Sequence, residues 1–194
     1  MSFEAMRSFF SLLAILVDLA VVAGVALLVG SRFASGIAST RRRIEASLYG
    51  RELTLAFIIA ATATLGSLYL SEIAHLEPCK FCWFQRIAMY PLAVILGIAA
   101  WRKDRNIRIY ATTLAVVGAS IAAYHYLIQQ FPTLSAGECS VTVPCTAAYI
   151  WEFGFVSIPW MALSAFALII LFMHVARSND HNENTPLPGS EGTT

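Results

Sequence analysis

The chain has 194 residues, of which 58% are hydrophobic and only 13% charged, with a formal net charge of +1. A soluble domain carries about 25% charged residues, so this composition excludes a soluble globular enzyme and a disordered chain. The near-neutral charge leaves no electrostatic footprint for nucleic acid, and the apolar excess places the chain in lipid.

A helix needs about 20 mainly apolar residues to cross a bilayer, because backbone polar groups in lipid must be satisfied internally. Five stretches meet that requirement: 9–30, 53–70, 82–101, 109–129 and 153–175. The first is too long for a signal-peptide core and is interrupted by Asp18, so it reads as an added helix with its start outside. A carboxyl at mid-membrane is costly; Asp18 is either functional or turned toward a neighbouring helix. The connection that follows holds Arg32, Arg41, Arg42, Arg43 and Arg51, and the 102–108 connection holds Arg102, Lys103, Arg105 and Arg108. With Arg177, these are ten of the 13 Lys and Arg residues. Basic loops stay inside, so 31–51, 102–108 and the C-terminus are expected in the cytoplasm. The N-terminus and the 71–81 and 130–152 loops are expected outside. Pro91 is expected to kink the third span. Gly66, Ala60, Gly118 and Ala119 suit close helix contact. The polar tail reads as a disordered cytoplasmic end.

All four cysteines fall on the expected outer side, as Cys79-Lys-Phe-Cys82 and as Cys139 with Cys145. Outside a bacterial plasma membrane such pairs are expected to be disulfides. The CxxC stands where an outer loop enters the third span, and unpaired N–H groups with the helix dipole at such a start favour a thiolate. Arg86 is one turn beyond Cys82 on the same helical face. The second pair closes a short loop in a water-facing segment, where it can be reached by a soluble protein, and so short a ring adds little as a staple. On residues alone three readings remain: a redox relay, two structural disulfides in a non-enzymatic multispan protein, or a metal site with thiolate ligands. His125, an ionisable group near the outer end of the fourth span, is either a proton carrier or a hydrogen-bonded packing residue. Phe81, Trp83 and Phe84 suit an interfacial aromatic belt.

The run Cys79-Lys-Phe-Cys82-Trp-Phe-Gln-Arg86-Ile-Ala-Met-Tyr90-Pro91 resembles the signature of the disulfide bond formation protein B (DsbB) family, in its BdbC-like branch. The second pair, followed by Phe153-Gly-Phe-Val-Ser-Ile-Pro159, is similar to the same branch, as is Tyr124-His125-Tyr126. The resemblance covers about residues 52–175, and the first helix departs from the family core of four helices. It implies an all-α membrane protein: a four-helix transmembrane bundle over 52–176, an extra N-terminal helix and basic loop over 1–51, and a tail over 177–194. It also implies a multi-pass enzyme of the bacterial inner membrane that reoxidises an extracytoplasmic thioredoxin-like dithiol oxidase of the DsbA/BdbD type. Electrons pass through redox disulfides Cys139–Cys145 and Cys79–Cys82 to a membrane quinone, ubiquinone or menaquinone, with no metal. By position, Cys139 takes the mixed disulfide, Cys145 resolves and relays it, Cys79 exchanges with the second pair, and Cys82 faces the quinone. Arg86 and His125 are the implied quinone-side residues. A vitamin K epoxide reductase-like protein is the second enzyme reading; there the CxxC comes late in the core, whereas here it opens the second core helix.

Overall fold

A computed structural model describes residues 3–134, 139 and 143–183. Six helices account for most of them: α1 (Phe3–Gly30), α2 (Ser35–Leu48), α3 (Glu52–Leu68), α4 (Lys80–Arg102), α5 (Arg108–Gln130) and α6 (Ile158–Glu183). Five are long and apolar enough to cross a membrane. Helices α3 to α6 form the bundle. α3 packs on α4 and α6, and α5 packs on the same two, so each helix touches two neighbours around a ring. α1 lies outside that ring, against α6, and exposes Leu12, Leu16, Leu19 and Val22 on its other side.

The core shows how an apolar chain packs where lipid is as apolar as leucine. Small residues let the backbones approach: Ala56, Ala60, Ala88, Ala111, Ala115 and Ala122 are all buried. The gaps between them are filled by Leu92, Leu96, Phe166, Ile169 and Met173. Gly118 is the tightest point. A Cβ there would stand 2.3–2.8 Å from three ring atoms of Phe166, so α5 and α6 mesh only because this position is bare.

Several boundaries differ from those expected. The second span ends in a π-helical turn, Tyr69–Ile73, and His75 at φ 53° breaks it. α4 starts two residues early, at Lys80, and runs unbroken through Pro91. The fifth span starts at Ile158, not at 153. Phe153 and Gly154 have φ of 52° and 79°, and the paired backbone bonds of Glu152 and Val156 close a tight turn over them. The basic 31–51 connection is mostly helix, α2, with Arg41 and Glu45 paired at i and i+4. α6 continues to Glu183 beyond the point where a disordered tail was expected; residues 184–194 lie outside the described part. Its last turns have partners, because Arg41 donates to Ser178 Oγ and Arg108 to the carbonyl of Ala176.

Asp18 turns inward, to α6. It accepts from Trp160 Nε1 at 2.9 Å and from the Ser164 hydroxyl. These bonds satisfy the one carboxylate in the apolar stretch of α1. At the start of α1, Arg7 pairs with Glu152 at 2.5 Å. At its far end, Ser31 accepts from Arg41.

The Gly118 contact yields a stability prediction. Gly118→Ala should destabilise the bundle by about 1–3 kcal/mol through overpacking, read as a lower Tm in detergent. Adding Phe166→Leu should recover part of the loss; equal Tm for the native chain and Gly118→Ala would contradict this packing.

Candidate functional site: two cysteine pairs and an apolar chamber

The site forms where α4 begins. Cys79 is the N-cap of α4, and its sulfur accepts from the backbone N–H of Cys82 at 3.4 Å. A cap residue must present an acceptor to the first turn, and a thiolate does so well, so the helix start and the redox group are one structure. The Cys79 and Cys82 sulfurs lie 3.1 Å apart and unbonded. The expected Cys79–Cys82 disulfide is therefore in its dithiol form: 3.1 Å exceeds the ~2.05 Å of a covalent S–S bond. Cys139 and Cys145 are joined as a disulfide.

His125 connects the two pairs. From α5, its Nε2 lies 3.5 Å from the Cys79 sulfur and 3.2 Å from the carbonyl oxygen of Cys145. The Gln85 side-chain amide lies 3.0 Å from Nδ1. An amide N–H donates, so Nδ1 is the acceptor and the neutral ring carries its proton on Nε2, facing the sulfur and the carbonyl. His125 and Gln85 are both buried. Of the second pair, Cys145 is buried and Cys139 only half-buried. The water-facing loop expected from sequence thus offers one sulfur rather than two. Cys145 packs with Cys79 and Ile128, and Cys82 and Cys139 pack against that cluster.

The Cys79 thiol is held below its ordinary pKa. The largest cause is the hydrogen bond from Cys82, which favours the thiolate; burial opposes it, and the hydrogen bond from His125 adds to the lowering.

Beyond Cys82 the bundle opens into a cavity of about 400 Å³, within the size range of small-molecule sites. Its walls are mostly apolar, among them Ile59, Met89, Met161 and Ala162, and its polar groups include Cys82, Gln85, Arg86 and Tyr90. Arg86 is buried, and no carboxylate pairs with it among the described residues. Ser67 on α3 holds it: Nε donates to Ser67 Oγ and Nη2 to the Ser67 carbonyl, each at 2.9 Å. The guanidinium also lies 5.3 Å from the Trp83 ring centre. Cys82 borders a second, much smaller cleft as well, shared with Cys79, His125 and Gln129.

The structure therefore brings all six sequence-derived site residues into one region. Sequence reasoning missed Gln85 and Ser67. Gln85 is visible only as a polar residue inside an apolar span, and Ser67 as the hydroxyl after Gly66. Phe81, expected in the interfacial belt, instead packs its ring on His125 and Tyr124. The ligand atoms of Cys79, Cys82 and His125 lie within 4.8 Å of one another, a trio able to take a thiophilic ion. The thiolate set drawing on all four cysteines does not form, because two sulfurs are bonded to each other.

The family model of disulfide bond formation protein DsbB matches residues 51–176. Disulfide bond formation protein C of Bacillus subtilis (strain 168) is 48% identical over 122 residues, 62% of this chain and 88% of that protein. Probable disulfide formation protein C 2 of Bacillus anthracis is 46% identical over 123 residues, covering 63% and 88%. Probable disulfide formation protein C of Halalkalibacterium halodurans is 44% identical over 131 residues, covering 67% and 92%. No solved structure matches significantly.

The lowered Cys79 pKa can be read directly. In Cys82→Ser, whose hydroxyl still donates to Cys79, thiolate ultraviolet absorbance should persist as pH falls through about 8.5, the ordinary cysteine midpoint. It should vanish only on reaching the depressed folded-state pKa. His125→Ala in that background should raise the midpoint; an unmoved titration would remove His125 from the sulfur's environment.

Proposed function

Since the chain belongs to the DsbB family of disulfide bond formation proteins, and so is a multi-pass membrane oxidoreductase, we propose that it moves electrons from an extracytoplasmic dithiol partner to a membrane quinone. The observation that carries this reading is the placement of Cys82. Its thiol lines the apolar chamber beside Arg86, while its mate Cys79 packs against Cys145. Sulfur is thus continuous from a half-exposed atom, Cys139, to a lipid-compatible cavity.

The partner is a thioredoxin-like dithiol oxidase of the DsbA/BdbD type. Its thiolate attacks Cys139, the more accessible sulfur, forming a mixed disulfide and releasing Cys145 as a thiolate. The partner's second thiolate then completes its own disulfide and frees Cys139, so the pair has gained two electrons. An oxidised Cys79–Cys82 pair takes them up by exchange, Cys79 receiving the attack, and re-forms Cys139–Cys145. The arrangement described, with the outer pair bonded and the inner pair as thiols, corresponds to the point after that transfer.

The residues around the chamber fit a quinone head: the walls are mostly apolar, and although Glu77 also lines the chamber, the buried guanidinium bonds to Ser67 and forms no ion pair with a carboxylate among the described residues. A bound quinone supplies the two-electron sink that the relay needs, since a DsbA-type partner is itself an oxidant near −120 mV. Arg86, fixed by Ser67, presents positive charge where negative charge develops on an acceptor oxygen. Gln85 keeps the His125 proton on Nε2, beside the Cys79 sulfur, so His125 supports the Cys79 thiolate. Its hydrogen bonds place it with the sulfurs rather than directly on the chamber. The distribution of Arg and Lys supports cysteine loops outside and a cytoplasmic C-terminus. The family match leaves the vitamin K epoxide reductase-like reading without support, and the relay leaves no need for static disulfides.

The deciding experiment is quinone reduction by the purified chain with a reduced thioredoxin-like partner. Cys79→Ser should abolish electron flow while the protein still inserts; flow that persists would sink the relay. Arg86→Ala should raise the KM for quinone by about tenfold or more, the scale of a lost hydrogen bond to a charged group, and leave the KM for the partner nearly unchanged. A reduced partner whose second, resolving cysteine is replaced by Ser should accumulate as a mixed disulfide on Cys139, seen by non-reducing electrophoresis, because its attack expels Cys145 and it has no thiolate left to free Cys139.

A further inference from the structure

The chamber is not enclosed by the family's four helices alone. Phe9, Phe10, Leu13, Ala14 and Val17, all on α1, line it opposite α3 and α4. α1 precedes residue 51, where the family match begins. These side chains stand there because α1 is fixed along its length. Arg7 pairs with Glu152, in the tight turn after the second cysteine pair. Asp18, one turn beyond Ala14, is bonded to Trp160 and Ser164 of α6. Phe10 reaches across to α3, where a Cβ on Gly66 would lie 2.9 Å from its ring. Gly66 directly precedes Ser67, the residue that holds Arg86. The apolar stretch of α1 is largely exposed, yet Ala14 is only 6% exposed. The helix thus meets lipid on one side and the chamber on the other.

We infer that α1 is a wall of the quinone-binding site, and that Phe10, Ala14 and Val17 set which quinones enter and how tightly they are held. The inference rests on the quinone reading above and extends it. A four-helix core would leave this side of the chamber open to acyl chains. With α1 docked, an entering quinone exchanges lipid for a fixed apolar surface, and its fit depends on residues outside the family match.

The test uses the full chain in lipid nanodiscs with an azidoquinone as photoprobe, followed by tryptic mapping. Label should appear on the peptide from Ser8 to Arg32, which carries the α1 wall, and on the peptide from Phe81 to Arg86. Ala14→Trp, which fills the chamber from α1, should cut labelling of both peptides and raise the KM for quinone about tenfold or more, as overpacking a filled site does. The rate at which the partner forms its mixed disulfide with Cys139 should not move. Leu19→Trp, on the exposed side of α1, should behave as the native chain. Ala14→Leu provides a milder filling if the tryptophan variant does not accumulate, with a smaller change in the same direction. Label confined to the α4 peptide, together with native quinone titration in both Ala14 variants, would overturn the role of α1 and leave the quinone reading intact. Absence of label from both peptides in the native chain would overturn both.

Discussion

The site depends on one side chain that touches two redox groups at once. His125 reaches the Cys79 sulfur and the Cys145 carbonyl with the same nitrogen, and that nitrogen bears a proton only because Gln85 occupies the other. Buried imidazole without partners would be costly. Here each polar atom of the ring has one, and the partners come from α4, from its N-cap Cys79 and from the loop before α6. The loop carrying the second pair is thereby fixed against the start of α4.

The bundle supplies the rest by geometry. An N-cap sulfur is held at the helix start by the first-turn N–H of Cys82, and the i+4 spacing from Cys82 delivers Arg86 to the chamber. Small residues in α3, α4 and α5 bring the backbones close, and large residues of α6 fill what remains. The chamber lies where that filling stops. A lone guanidinium at its edge is affordable because Ser67 takes two of its donors, while no carboxylate among the described residues forms an ion pair with it.

Much of this was legible in the chain. Five spans followed from run length, because a bilayer sets a minimum that few other constraints share. Cys79, Cys82 and Arg86 followed from local spacing, which a helix converts directly into shared position. Three kinds of feature were not legible. The start of α6 depends on left-handed backbone at Phe153 and Gly154, which overrides an apolar run. The roles of Gln85 and Ser67 depend on which helix faces which, and a single sequence does not encode that in any local pattern. The contribution of α1 to the chamber required the docking of Asp18 on α6. From sequence, Asp18 could equally have been a functional carboxylate or a packing one; its bonds to Trp160 and Ser164 make it the fastening of a helix.

That fastening has a consequence for biogenesis. Asp18 emerges from the ribosome with the first helix, but both of its donors belong to the last, 142 and 146 residues later in the chain. Until that final segment leaves the translocon, the carboxyl has neither donor and must be tolerated by water, headgroups or a chaperone. The α1 segment is therefore made well before α6 but completed only with it, so the fastening of the one waits on the synthesis of the other.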